Sequence, residues 1–422
     1  RTLMLIKRQS IASSSLTDTS IFTTFAIVFA AASTPLPTAW GSASLVFLLI
    51  AFFLQSLKKN TWLRIRRNSL AWAAMGLLTA LAIGMLYGAT PLSQAFEFWT
   101  KYLKLLAIPI IIGLAPDERL KRLALNAALT ALVLSLLVSY ARYFGIIPLY
   151  TDPNQAYIGF QNRITFGLYT SIASYIFAYR AIKHSDKNWK VAYLILFLSS
   201  SFNTLAVNNG RTGYVIFFAL TAMFLYRNIQ PRWRLPSAGV ALITITALLL
   251  ASPVSRDRIG RSISNAETIQ QKAPVEQSSI VIRWQFLKNS IDIIRSAPFF
   301  GHGTGSFESQ YEKRIVGTTQ VGSSNPHNDY LLILSQLGIF GLFFEIFFIV
   351  TIYIKARLMN NEPEEWAYAL LVAFILYSGL NSTLLDAGEG RFFVVLLAIV
   401  LQHSTGHTIK NFAYKNNHSG LD

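Results

Sequence analysis

Cysteine is absent from this chain of 422 residues, so a disulfide framework and thiolate metal ligands are both excluded. Charge is scarce. Charged residues make up 14% of the sequence, against roughly 25% in an ordinary soluble domain. Acid is scarcer than base, with 20 Asp and Glu against 37 Lys and Arg, and histidine occurs only six times. A chain with so few ionisable groups gives weight to where each one stands. What fills the rest is apolar: 53% of the residues are hydrophobic. They fall in blocks of roughly 17–25, the length that carries a helix across a hydrocarbon core. The chain therefore reads as an all-α polytopic membrane protein.

The net charge of +17 does not point to nucleic acid. Lys and Arg cluster in short loops between apolar blocks, which is the positive-inside bias of membrane proteins. Twelve spans are expected, at about 20–35, 41–57, 70–88, 101–115, 120–141, 164–182, 190–207, 212–227, 236–252, 328–355, 364–384 and 391–404. Residues 1–10 are basic without the pattern of a cleavable signal, so the first block is expected to serve as the first span. Basic residues fill alternate loops: Lys58, Lys59, Arg64, Arg66 and Arg67, then Arg119, Lys121 and Arg122, then Arg180, Lys183, Lys187 and Lys190. Arg227, Arg232 and Arg234 follow, and then Lys355 and Arg357. The opening odd loop, Thr34 to Ala39, has no charge at all. Short basic loops are retained in the cytoplasm, so both termini are expected there and the odd loops outside.

The expected organisation is nine spans over 1–252, an outer loop region over 253–326, three spans over 327–404 and a cytoplasmic tail over 405–422. Within the outer loop, Ser279 to Ser296 reads as an amphipathic helix with Ile280, Trp284, Leu287, Ile291 and Ile294 on one face. Pro298 ends it, and a Gly-rich turn sequence follows. The polar stretch from Arg256 to Gln277 reads as mobile, with Arg256, Arg258 and Arg261 as a solvated patch.

On this topology the residues with chemical potential gather on the outer side. His327-Asn328 opens the tenth span. One reading makes the pair a polar helix cap. The other makes His327 a general base, since neutral imidazole takes a proton from a hydroxyl near neutrality and nearby arginines keep it unprotonated. Gly338 and Gly341 serve shape: a short helix after His327, a break, and then the true span. Arg163 follows Gln161-Asn162, Arg211 follows Asn208-Asn209-Gly210, and Arg283 lies on the loop helix. Snorkelling, or pairing with a loop carboxylate, explains such arginines in general. Against it, arginine is disfavoured on the translocated side, and guanidinium beside backbone donors suits phosphate oxygens. Asp386 reads either as a turn residue or as a carboxylate that orients the histidine or binds a sugar hydroxyl, while Glu389 and Arg391 stay open. No paired acidic motif stands on the outer face and no histidine spacing fits zinc, so neither a metal nor another cofactor is expected.

Together these residues resemble the O-antigen ligase and polymerase superfamily. Its ligase pattern, His-(Asn/Ser/Gln)-x9-Gly-x-x-(Gly/Thr/Tyr), is met from His327 to Gly341, and Arg-x3-Leu is met by Arg283 and Leu287. The stretch through Trp284, Pro298, Gly301, Gly303, Gly305 and Phe307 is similar as well. The resemblance implies a GT-C-like fold in the Gram-negative inner membrane. It also implies metal-independent, inverting transfer of a glycan from undecaprenyl pyrophosphate to lipid A–core on the periplasmic side. His327 would be the base, and Arg163, Arg211, Arg283 and Asn328 would bind substrate. O-antigen polymerases and protein O-oligosaccharyltransferases share the histidine region. From another class, a polysaccharide-lipid transporter or flippase would line a central path with its arginines.

Overall fold

A computed structural model describes residues 20–57, 59–152, 155–208, 210–251 and 279–402. The expected mobile stretch at 256–277, with its three arginines, and the tail at 405–422 lie outside the described residues. Among the described residues every regular element is helical and no strand occurs. Each of the twelve expected spans coincides with a helix or a broken helix. Among the described residues, five helices are long and apolar enough to cross a membrane: Thr38–Ser56, Ser69–Tyr87, Glu118–Tyr143, Lys187–Val207 and Asp329–Ala356. Ile21–Ser33 and Leu103–Leu114 are shorter apolar helices. Three short helices, Lys59–Arg66, Leu92–Thr100 and Phe307–Ile315, occupy stretches read as loop.

The helices that position the site are α1 (Ile21–Ser33), α2 (Thr38–Ser56), α3 (Lys59–Arg66), α4 (Ser69–Tyr87), α5 (Leu92–Thr100), α6 (Ala107–Leu114), α7 (Glu118–Tyr143) and α8 (Arg163–Lys183). They continue with α9 (Lys187–Phe202), α10 (Arg211–Asn228), α11 (Pro231–Ala251), α12 (Ser279–Ser296), α13 (Phe307–Ile315), α14 (Asp329–Ala356), α15 (Asn361–Ser378) and α16 (Ala387–Leu401). Two helices are shielded almost throughout: α6, buried over its whole length, and α16, buried from Gly388 to Leu401. Alanines and glycines allow close helix approach elsewhere, as lipid-solvated packing requires. Gly167 of α8 and Gly213 of α10 lie backbone to backbone, and Ser171 Oγ donates to Gly213 O at 3.0 Å.

Close packing of α8 on α10 sets their ends in register. At their C-terminal ends Arg180 pairs with Glu362 at 2.6 Å, and Arg227 pairs with Glu364 at 2.7 Å and Glu365 at 3.1 Å. Glu362 and Glu364 belong to the first turn of α15 and Glu365 follows directly, so α15 runs the other way. The N-termini of α8 and α10, carrying Arg163 and Arg211, thus meet the C-terminal end of α15. Ion pairs to α15 thus mark one end of the bundle, and Arg163 and Arg211 stand at the other.

Two features differ from the sequence reading. The loop helix α12 spans Ser279–Ser296 as expected, but its buried residues are Phe286, Asn289, Ser290 and Ile293. Trp284 is 65% exposed and Ile291 also faces solvent. Both faces of α12 are apolar in part, and the one that packs is chosen by Phe307, Tyr311 and Leu332. The eleventh expected span, which is α15, ends at Ser378 rather than near 384, because residues 379–386 form a loop held to the start of α14.

Candidate active site

The N-terminus of α14 is held by three side-chain anchors, Asn325, Asn328 and Asp329. Asn328 caps it: its Oδ1 accepts from Leu331 N at 3.0 Å, while its Nδ2 donates to Gly379 O at 2.8 Å. Asp329 is buried, and its Oδ2 accepts from Leu384 N at 2.9 Å. Asn325 stands two residues before the histidine. Its Oδ1 accepts from His327 N at 2.9 Å and from Ser382 Oγ at 3.0 Å. These bonds fix His327 in a left-handed conformation, φ +51°, which non-glycine residues adopt only when their surroundings demand it. The imidazole packs at 5.8 Å from the Phe286 ring of α12. Burial lowers its pKa below 6.5, and the charge of Arg283 lowers it further. His327 is therefore a neutral imidazole near pH 7, still accessible to solvent.

Arg283 is accessible too, yet protein surrounds it. Desolvation is the largest cause lowering its pKa, and the charges of Arg211 and Arg163 act in the same direction. Guanidinium stays protonated under such shifts. Three arginines from α8, α10 and α12 therefore share one field, with His327 at its edge.

Arg163 and Arg211 are the first residues of their helices. Asn162 caps α8, its Oδ1 accepting from Ile164 N and Thr165 N. Gly210 caps α10, and Asn208 Nδ2 donates to Arg163 O at 2.9 Å. A Cβ on Gly210 would lie 2.5 Å from Arg163 O, so only glycine permits this approach of one helix start to the other. Arg211 Nε is buried with no hydrogen-bond partner among the described residues. Two helix N-termini add their positive dipole ends to the guanidiniums. Like charges held together in this way store repulsion that an anion relieves.

Beside the arginines lies a buried carboxylate. Glu389 Oε1 accepts from Tyr377 OH at 2.7 Å and from Thr165 Oγ1. Sequence reading left Glu389 open, and it missed Thr165 and Tyr377 because hydroxyls in apolar helices carry no motif. Asp386 stands apart from the histidine: no hydrogen bond joins the two among the described residues. Its backbone O accepts from Lys104 Nζ at 2.6 Å, and burial followed by the charge of Glu389 raises its pKa to about 7. Lys104, itself buried, was hidden inside an apolar run. Arg391 donates to Ser42 Oγ at 3.1 Å, away from the three arginines. No group of three or more His, Asp and Glu with metal-ligand geometry occurs among the described residues.

Three further arginines, Arg142, Arg295 and Arg314, contact groups near them in the chain. Arg142 donates to Ile158 O and Gly159 O and stacks on Tyr150 at 4.2 Å. Arg314 donates to Gln310 O and Asp292 O, and Arg295 lies 3.6 Å from Asp292.

The fold and site together define a class: an all-helical multi-pass membrane protein with a neutral histidine and three arginines gathered where several helices begin. The model of the family described as O-antigen ligase matches residues 194–346, from α9 through Arg211, Arg283 and His327 into α14. This stretch, about a third of the chain, is similar to the O-antigen ligase superfamily, whose members are glycosyl-transferring enzymes acting on lipid-linked glycans, and the match supports membership. No curated protein matches the chain.

Proposed function

We propose that this protein is an O-antigen ligase of the Gram-negative inner membrane. It transfers a glycan from undecaprenyl pyrophosphate to the outer core sugar of lipid A–core, with inversion and without a metal. The observation that carries this reading is the placement of His327 beside the shared field of Arg163, Arg211 and Arg283. In the proposed reaction the acceptor hydroxyl gives its proton to His327 as its oxygen attacks the anomeric carbon. The bond from that carbon to the pyrophosphate oxygen breaks, and undecaprenyl pyrophosphate leaves with the electron pair. The three guanidiniums hold the pyrophosphate and stabilise its growing charge; one preorganised donor of this kind is worth ~3 kcal/mol. Asn328 acts by setting the helix start from which His327 projects.

The membrane arrangement belongs to the same proposal: twelve spans on a GT-C-like architecture, the site facing the periplasm and both termini in the cytoplasm. Convergence of the arginines at one end of the bundle argues against a transporter, whose charges line a path through the bilayer. Ligase and polymerase share the donor pyrophosphate and the base and differ in the acceptor, so an experiment on the acceptor separates them. Purified protein given donor alone is expected to leave the glycan unlengthened, and to modify lipid A–core once it is added. Chain lengthening from donor alone, with core lipid untouched, makes the protein a polymerase. His327→Ala is expected to abolish transfer in either case, and its survival removes the histidine from the chemistry.

A further inference from the structure

Helix α14 is broken at Gly338, whose φ of 60° and ψ of −154° are closed to other residues. A break inside an apolar helix exposes carbonyls on one side and N–H groups on the other. At membrane depth such groups must be paired within the protein. The partners come from the loop after α12. His302 N donates to Ser335 O at 3.1 Å and Gly303 N to Gln336 O at 2.8 Å. On the other side Ile339 N donates to Pro298 O at 2.9 Å and Phe340 N to Phe299 O at 3.1 Å. The same loop is stitched to the end of α4: Thr304 N donates to Gly84 O at 3.0 Å, and Tyr87 OH to Phe300 O at 2.5 Å.

Residues 297–305 are therefore wedged between the C-terminal end of one apolar helix and the start of another. From Ile339 to Ala356 the second part of α14 rises roughly 27 Å at ~1.5 Å per residue, close to the ~30 Å hydrocarbon core. The break, and the loop that fills it, then lie at the bilayer boundary. The side chains agree. Phe299 is 69% and Phe300 62% exposed, next to Leu86 at 81%, Ile339 at 54% and Phe343 at 61%. Phe300 also meets the Phe340 ring at 5.9 Å. The exposed rings continue the outward apolar face of α14 without interruption. Aromatic side chains are enriched where apolar lipid meets water.

We propose that the Phe299–Phe300 turn is immersed in lipid at the bilayer boundary, where it seats the loop region carrying Arg283 at a fixed height above the membrane. The inference does not depend on the reaction catalysed. It follows from backbone pairing at the helix break and from the continuity of exposed apolar surface.

The chain has no native cysteine, so single sites can carry a nitroxide label. Phe299→Cys is the deciding variant, because its ring makes no ring contact among the described residues. Phe300→Cys replaces it where Phe299→Cys fails to yield monodisperse protein. Phe343→Cys on the apolar face of α14 and Thr319→Cys on the exposed loop give the lipid and water references. In vesicles of phosphatidylethanolamine and phosphatidylglycerol, collision with oxygen is expected to exceed collision with a water-soluble nickel chelate severalfold at 299, as at 343. The order should reverse at 319. A label at 299 that collides with the chelate as freely as at 319 overturns the proposal. So does one shielded from both reagents, since protein and not lipid would then cover the turn. Quenching of a fluorophore on the same cysteine by lipids with nitroxide-bearing acyl chains gives an independent depth reading.

Discussion

Arg283 is the charged neighbour that acts on His327: burial first, and then this guanidinium, hold the imidazole below its ordinary pKa of 6.5. The arginine thereby has two consequences from one position. It contributes to a cationic field with Arg211 and Arg163, and it keeps the proposed base unprotonated.

The pH dependence of transfer follows from that relationship. With the pKa lowered, the rate should be flat at neutrality and fall only in acid, as His327 takes up a proton. Arg283→Gln removes the charge, so the pKa should move up and the acid limb should shift to higher pH. Residual activity against pH, or NMR titration of His327 in the variant, reads the shift. An unmoved or more acidic titration would separate the two residues electrostatically. Arg283→Lys keeps the charge and should leave the limb nearly in place, while impairing transfer if two-oxygen contact matters.

Much of this site was legible because polar residues stand out in an apolar chain. His327, Arg163, Arg211 and Arg283 each interrupt or flank hydrophobic runs, and charge-depleted loops marked the same end of the bundle. The break also showed: Gly-x-x-Gly within an apolar helix predicted a short helix before the span, and Gly338 supplies it. The packed face of α12 was not legible. Ile282, Phe286 and Ile293 compete with Trp284, Leu287 and Ile291, and only the partners Phe307, Tyr311 and Leu332 decide. Lys104 was equally hidden, since its carbonyl partners at 385 and 386 are distant in sequence. Asn325 escaped notice because its role depends on one backbone N–H and on Ser382 Oγ.

Gly338→Ala tests the break itself. A Cβ there would press on Phe299 C and O and lie 2.6 Å from Pro298 O, at a backbone conformation that alanine resists. Strain at such a position is on the order of 1–3 kcal/mol, and displacement of the loop adds to it. The variant should unfold at lower temperature in detergent and lose transfer. Gly239→Ala within α11, where a Cβ would meet nothing within 4 Å, is the matched control and should be neutral or slightly stabilising. Equal melting temperatures for the two would mean that α14 straightens without penalty.

Metal removal addresses the leaving group. If three guanidiniums supply the charge stabilisation, exhaustive treatment of the purified enzyme with EDTA should leave the transfer rate unchanged. Loss of activity that Mn²⁺ or Mg²⁺ restores would instead assign that role to a cation. Glu389, a buried carboxylate bonded to Thr165 and Tyr377, would then be the first residue to substitute.

Orientation is the last point, and the fold sharpens its test. The basic loops are expected inside and the site outside, which impermeant maleimide can report on single-cysteine variants of this cysteine-free chain. Several of residues 301–307, including Gly303, Thr304, Ser306 and Phe307, are buried, so a cysteine there would be protected on either side of the membrane. Thr319, exposed on the same loop region, is the informative outer position, and exposed Arg67 at the end of the basic loop is the inner one. In intact cells with a permeabilised outer membrane, Thr319→Cys should label and Arg67→Cys should not; after lysis both should. The bundle geometry adds an internal check. Arg163 and Arg211 begin helices whose other ends pair with Glu362, Glu364 and Glu365, so residues near 360 must lie opposite the site. Exposed Asn361→Cys should therefore label with Arg67→Cys and never with Thr319→Cys. Labelling of 319 and 361 from the same side would break the antiparallel arrangement of α8, α10 and α15, and with it the separation of site from ion pairs on which the proposed topology rests.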